Sequence, residues 1–379
     1  MKKGLIYLFM LVMGAIAFTA CNDDDDNTPK KISHEYSGDN LKMTLNSTAQ
    51  TGKAVQLEAL NKENGYLALK KMIPGEDSLV IDVKLVQSTG NNFSIDGTST
   101  NNDRTINVTG EIKDGVMTLN SNFKITSKVV GNWKLAEQEE STDPTQLLGR
   151  GPLHLEVVTN IDTITLPIVF ANGSSWKLPM QDVVEEGVTG FPSFAKAIFA
   201  MMVPGMLHNI EFKENGNLVA TYINLGDTES APLTSPEGLV RYNVKDGQIY
   251  LAIDVASLMS RSTAPQVNIL EMLANGMPLK LTLEGDQMRA YVDKSMMVPF
   301  MGMMDMVKGL VAGMEPVDAL IGTVTEESLV TFLDEVVVLV TTAEKIEIGL
   351  NLDRQVVAAT SKPLNKALLK ETLLKYKKQ

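Results

Sequence analysis

One cysteine, Cys21, is present among 379 residues. An internal disulfide is therefore excluded, and stability has to come from packed cores. Aromatic side chains make up only 6% of the chain and include two tryptophans, so broad aromatic platforms for sugar rings are scarce. The histidines are His34, His154 and His208. No H-E-x-x-H, C-x-x-C or paired-histidine spacing occurs, so no zinc ligand set is recognisable. Lys and Arg number 34 against 46 Asp and Glu, a net charge of −12, and no basic cluster follows residue 21. That removes the electrostatic footprint of a nucleic-acid-binding protein. G-x-S-x-G, G-x-x-x-x-G-K-[ST] and G-x-G-x-x-G are missing as well. Together these absences argue for a non-enzyme with no cofactor. A carboxylate pair for glycoside hydrolysis stays open, because its separation of about 5 to 9 Å is set by the fold. The adjacent pairs Glu185–Glu186 and Glu326–Glu327 read as solvated surface, since neighbours on a helix point apart.

What is present begins at the front. Lys2 and Lys3 precede an apolar run from Leu5 to Phe18, closed by Ala17-Phe18-Thr19-Ala20 before Cys21. This is the three-part layout of a secretory signal. The run is shorter than the roughly 20 apolar residues a membrane-spanning helix needs. The segment resembles a bacterial lipoprotein signal, with Phe18 standing where that family usually has an aliphatic residue. The resemblance implies cleavage after residue 20 and a lipid thioether on Cys21; an ordinary reduced thiol is the alternative. Asp23, Asp24, Asp25 and Asp26 follow. As a calcium cage four consecutive carboxylates lack preorganisation, whereas a solvated charge run needs no further cause. They also resemble the surface-export signal of lipoproteins from the Bacteroidota. The implied location is the outer membrane, lipid-anchored, at the cell surface, with the membrane as first partner. Residues 1–20 are then a signal peptide and 21–35 an acidic tether.

The rest is too long for one ordinary core and reads as two units. Residues 36–128 carry LKMTLN, KAVQLEAL, DSLVIDVKLV and RTINVTGEI, all with partial alternation, separated by polar turns. Asp114-Gly115 between alternating runs is a hairpin signal. This pattern resembles the calycin-like, lipocalin-related domains of Bacteroidota surface lipoproteins, which implies a small β-sandwich or barrel. Residues 129–379 open with Gly131-Asn132-Trp133, similar to the lipocalin G-x-W signature, whose tryptophan plugs the closed end of a barrel; a simple core tryptophan is the alternative. Strands or hairpins are expected at 153–159, 163–170, 208–223, 238–254, 278–293 and 344–352. Helices are expected at 192–202, 255–274, 299–314, 326–340 and 363–378. Pro299 is placed in the first turn of the third, and Thr323 with Glu326 makes a capping box for the fourth, whose β-branched tail also suits a strand. The expected fold class is mainly β with helical insertions (α+β): a small calycin-like β-sandwich or barrel, then a larger lipocalin-like β-barrel unit.

Methionine is the unusual component. Met201, Met202 and Met206 form one group, and Met296, Met297, Met301, Met303, Met304, Met306 and Met314 another. Three readings compete: a gap-filling helical core, an apolar pocket or lid, and thioether ligation of copper(I). The pocket reading nominates Met201, Met202, Phe300, Met303 and Met304. Trp176, in the loop-like NGSSWKLP, is the candidate for glycan stacking. The resulting expectation is a lipid-anchored, non-catalytic binding protein for an apolar small molecule, a glycan or an outer-membrane protein partner. Two alternatives stand beside it: an accessory subunit of an outer-membrane complex, and a hydrolase with unrecognised carboxylates.

Overall fold

The computed structural model describes residues 32–59, 63–89, 92–224, 231–254, 274–302, 304–319 and 322–355. Cys21, Asp23, Asp24, Asp25, Asp26 and Met303 lie outside them, as do the helices expected at 255–274 (but for Ala274) and 363–378. The protein is mainly β with helical insertions.

The first sheet has nine strands: β1 (Ile32–Ser37), β2 (Leu41–Leu45), β3 (Thr48–Ala49), β4 (Ala54–Ala59), β5 (Asn64–Lys70), β6 (Ser78–Gln87), β7 (Phe93–Thr100), β8 (Arg104–Lys113) and β9 (Val116–Ile125). Their order is β1-β4-β5-β6-β7-β8-β9-β2-β3. β2 runs parallel to β9, and every other pair is antiparallel. β1 and β2 lie toward opposite edges, yet only Gly38–Asn40 separate them in the chain. Three residues reach about 10 Å, whereas eight strands laid flat at about 4.8 Å would be far wider. The sheet therefore curls on itself. Alternation sets its inner face: Leu79, Ile81, Val83 and Leu85 of β6 are buried, as are Met117, Leu119, Phe123 and Ile125 of β9. The hairpin at Asp114-Gly115 has φ of 53° and 82°, the left-handed pair that a type I′ turn requires.

The second sheet closes into a barrel of eight strands: β10 (Gly131–Leu135), β14 (Leu207–Phe212), β15 (Asn217–Tyr222), β17 (Val240–Lys245), β18 (Gln248–Ile253), β19 (Met277–Glu284), β20 (Gln287–Asp293) and β23 (Lys345–Arg354). Each pairs with the next, and β23 returns to β10 with Trp133 opposite Arg354. β11 (Leu153–Val158) extends the sheet beside β23, and β16 (Leu233–Thr234) pairs with β15. The insertion between β20 and β23 and that between β10 and β14 together build a smaller layer. Its sheet is β13 (Ser175–Pro179), β12 (Thr163–Val169), β22 (Gly322–Val324) and β21 (Val317–Ala319) in that order. Its helices are α1 (Phe191–Met202), α2 (Lys294–Met301), α3 (Met304–Val311) and α4 (Glu326–Thr342). None of the described helices is long and apolar enough to cross a membrane.

Local chemistry moves several boundaries from their expected places. The single helix expected at 299–314 is two, α2 and α3. Asp293 caps α2 by accepting from the Met296 amide at 3.1 Å, so the helix starts at Lys294 and Pro299 falls inside it. Pro299 removes an internal hydrogen bond, and α2 stops two residues later. The capping box of α4 is Thr325 with Ser328, not Thr323 with Glu326: the Ser328 amide donates to Thr325 Oγ1 at 3.2 Å and the Thr325 amide to Ser328 Oγ at 2.9 Å. Thr323 is taken by β22. The β-branched tail of α4 stays helical because Leu339, Val340 and Ala343 bury against Ile164, Leu166 and Leu178.

The curled sheet and the barrel share one hydrophobic core. Phe123, Ile125 and Val129 continue into Trp133, Phe212, Tyr242, Ile249, Met288 and Leu352. Polar groups lock the junction. Arg104 of β8 is paired with Glu76, with Nη2 2.8 Å from Oε2, and both side chains are nearly sealed from water. Asn243 of β17 accepts from Arg104 Nη1 at 3.0 Å and donates to the Pro74 carbonyl at 3.1 Å. Gly75, at φ 76°, lies flat against Tyr250; a β-carbon there would sit 2.1 Å from the ring.

Candidate functional site

The lower end of the barrel is solid. Trp133 is wholly buried, donates from Nε1 to the Val129 carbonyl at 2.8 Å, and carries the Arg354 guanidinium 4.4 Å above its ring. Arg354 also donates to the Val130 carbonyl at 3.0 Å and to the Lys128 carbonyl. Phe212 and Tyr242 meet edge to face at 5.0 Å above this floor. Higher up the packing loosens. On the face of β23 that carries Leu350 and Leu352, Leu350 is half-buried and Ile348 is 40% exposed, while Ile346 beyond them is buried in the core of the insertion layer.

A cleft of about 530 Å³ runs between the outer face of β15, β17 and β18 and the curled sheet. Strand alternation creates its wall: Tyr242 and Val244 of β17 point into the core, so Arg241 and Asn243 point the other way. Arg241 reaches the cleft and makes one hydrogen bond, to Gln50 Oε1 at 3.4 Å. Burial lowers its pKa. Lys53 lies nearby and donates to the Lys71 carbonyl. Burial, then the charges of Arg241 and Lys71, hold Lys53 below the usual lysine range. Thr48, Thr51, Asn215, Asn217 and Asn275 add hydroxyls and amides to the lining. Glu237 stands on the rim in an ion pair with Lys213 at 2.7 Å, which lowers its pKa. A second depression, on the outer face of β2, β8 and β9, is lined by Thr44, Asn107, Thr109, Asn120 and Asn122.

A polar cluster occupies the barrel wall where β11, β20 and β23 meet. His154 Nε2 and Glu347 Oε2 are 2.9 Å apart and both side chains are largely buried. Tyr291 stacks edge-on at 5.4 Å. Burial is the main reason the His154 pKa is lowered, and the hydrogen bond to Glu347 opposes it in part. Neutral His154 then donates from Nε2 to an ionised Glu347. Burial acts to raise the Glu347 pKa, but the hydrogen bonds from His154 and Lys345 outweigh it and the net shift is downward. With Glu156 these residues form a triad whose ligand atoms lie within 4.8 Å of one another, the right elements for a cation. Lys345 already holds that position: its ammonium is 2.8 Å from Glu156 and 3.1 Å from Glu347. The cluster is neutralised from within, and a metal would have to displace the lysine.

The residues nominated from sequence are scattered across the insertion layer. Trp176 lies in β13 rather than a loop, because Asn172-Gly173 turns the chain ahead of it and β12 pairs with it. It meets Phe194 edge-on at 5.0 Å and packs on the second core. Met297 and Met301 pack there too, with Phe191 and Phe332. Met201, Phe300 and Met304 are half-buried and Met202 is exposed. Neither Arg241 nor Lys53 was legible as a site residue. The available signal was an arginine inside the alternating run LVRYNVK, on the face opposite the apolar one. Every described carboxylate with a displaced pKa (Asp143, Glu237, Asp293, Glu347) is displaced downward, away from a general acid. Comparison with protein-family models, with curated proteins and with solved structures finds no match to this chain.

Proposed function

We propose that this is a lipid-anchored, non-catalytic binding protein of the bacterial cell surface, and that it holds a small polar ligand in the cleft between the curled sheet and the barrel. The observation that carries this reading is the cleft itself. Its volume lies in the range of small-molecule sites, and its walls mix charge, amide and hydroxyl groups with patches such as Ile73, Pro74 and Ala252. The buried Arg104–Glu76–Asn243 group fixes the two walls against each other, which supports a preformed site. The membrane role rests on the signal-like front end and Cys21. The barrel is read as lipocalin-like and the curled sheet as calycin-like: eight strands in sequential order close on themselves, with a buried tryptophan on the first and an arginine from the last over it.

The test is a ligand screen by saturation-transfer NMR on the full chain in detergent, repeated with Ala252→Trp, which fills the cleft. A ligand that the parent binds and returns unaltered, and that the variant loses, supports the proposal. Unchanged binding in the variant, or turnover of the ligand, overturns it.

A second reading has its own observation. The exposure of Ile348 beside half-buried Leu350 suits an apolar small molecule at the upper end of the barrel. A fluorescent fatty acid displaced by Ile348→Glu, and untouched by Ala252→Trp, distinguishes the two.

A further inference from the structure

We infer that the cleft takes an acid: Arg241, with Lys53 beside it, holds the carboxylate of a small hydroxyl-rich molecule, an acidic sugar being the class its walls fit. The inference rests on the cleft being the binding site.

The reason is a cation whose partners are missing. A guanidinium carries five N–H donors in a fixed fork and cannot shed its charge. Removing it from water is costly unless those donors and that charge are met. Arg104, Arg150 and Arg354 obey this rule, paired with Glu76, with Asp353 at 2.8 Å and with Asp286 at 3.3 Å, whereas half-buried Arg289 makes one hydrogen bond, to Asn351 Oδ1 at 3.2 Å. Arg241 does not obey it. It is half-buried, its one hydrogen bond is long and goes to a neutral amide, and among the described residues no carboxylate lies at ion-pair distance. Its side chain lines the cleft.

The neighbours deepen the imbalance. Lys53 and Lys71 line the same cleft as Arg241; burial first, then the charges of Arg241 and Lys71, lower the basicity of Lys53, while Lys71 has a further partner of its own. The acids of the lining do not neutralise Arg241. Glu237 is bound by Lys213, and Asp254 has a partner of its own. Like charges gathered in a concavity are stable when an anion joins them, and a forked guanidinium matches a carboxylate through two parallel hydrogen bonds. Beyond the cations the lining offers Thr48, Thr51, Gln50 and Asn275, donors and acceptors suited to hydroxyl groups. A volume of about 530 Å³ accommodates one or two sugar rings.

The test is isothermal titration calorimetry on the full chain in detergent at low salt, with sodium glucuronate, glucose and sodium sulfate as probes. Glucuronate is expected to bind at one site, at least tenfold tighter than glucose, and sulfate to compete with it. Arg241→Gln is expected to weaken glucuronate by about tenfold to a hundredfold, the range of a charge-assisted hydrogen bond. Lys53→Gln should weaken it less. Neither substitution should lower the unfolding midpoint; should Arg241→Gln fail to fold, Lys53→Gln and the sulfate competition carry the test. Glucose binding as tightly as glucuronate sinks this inference and leaves the cleft as a neutral-ligand site. Glucuronate binding that survives both substitutions places the acid elsewhere. No saturable binding of any of the three anionic or neutral probes overturns the inference, while the cleft-filling variant still judges the broader proposal.

Discussion

Arg104 of the curled sheet and Asn243 of the barrel meet at 3.0 Å, Nη1 to Oδ1, across 139 residues of chain. With Glu76 they form a nearly sealed charged group at the junction of the two sheets. Removing Glu76 or Arg104 leaves the other charged and buried, at a cost of about 3–5 kcal/mol. Glu76→Ala should lose that much in urea unfolding, and the double change Arg104→Met with Glu76→Leu should recover part of it. A Glu76→Ala variant within about 1 kcal/mol of the parent contradicts this account, since it falls below the typical cost of an unpaired buried charge.

Trp133 and Arg354 make a second testable pair. Trp133→Ala empties a fully buried site and should cost about 3–5 kcal/mol, as large-to-small core changes do. Arg354→Met keeps much of the packing and loses the contact with the ring, worth about 0.5–2 kcal/mol, with its bonds to two carbonyls. Denaturant midpoints should rank the two in that order; the reverse order means that Arg354 closes the barrel more than the tryptophan does.

Acid should weaken the fold in two stages. The pKa of His154 is depressed from 6.5 by burial, so the unfolded chain binds that proton more readily than the folded one. Its contribution is present above pH 6.5 and is lost as pH falls below it. Glu347 is also depressed, from 4.5, and its contribution disappears as pH falls through the carboxylate range. Urea midpoints measured from pH 8 to pH 4 should hold steady, fall below about 6.5, and fall again below about 4.5. His154→Gln retains a donor for Glu347 and should abolish the first stage only. A midpoint that rises between pH 7 and pH 6 runs against the sign of the shift.

The front end predicts a location. Mass spectrometry of the membrane-extracted protein should find Cys21 as the first residue, acylated, and Cys21→Ser should move the chain to the soluble fraction. Replacing Asp23, Asp24, Asp25 and Asp26 by asparagine should leave the lipid in place and reduce cleavage by protease added to intact cells. An unmodified amino end, or a parent chain already soluble, refutes the anchor.

Where residues pair with near neighbours, the expectation and the structure agree. Asp114-Gly115 turns as its positive φ angles demand, because the turn is decided within four residues. The helix break near Gly302 was not legible, since it depended on Asp293 reaching the Met296 amide before the apolar periodicity begins. Trp176 shows the same limit: its polar neighbours read as a loop until β12 supplies a partner.

Composition and alternation by themselves determined that this chain has no disulfide, is mainly β with helices set between strands, and places alternate side chains of each strand on opposite faces. Only the tertiary structure decided what those outward faces meet. Arg241 is half-buried because a second sheet lies over β17, and His154 finds Glu347 across 193 residues because β11 and β23 are neighbours. Period-two patterning specifies a face and carries no address for its partner; that address is set when distant strands close a barrel and bring their remaining surfaces together.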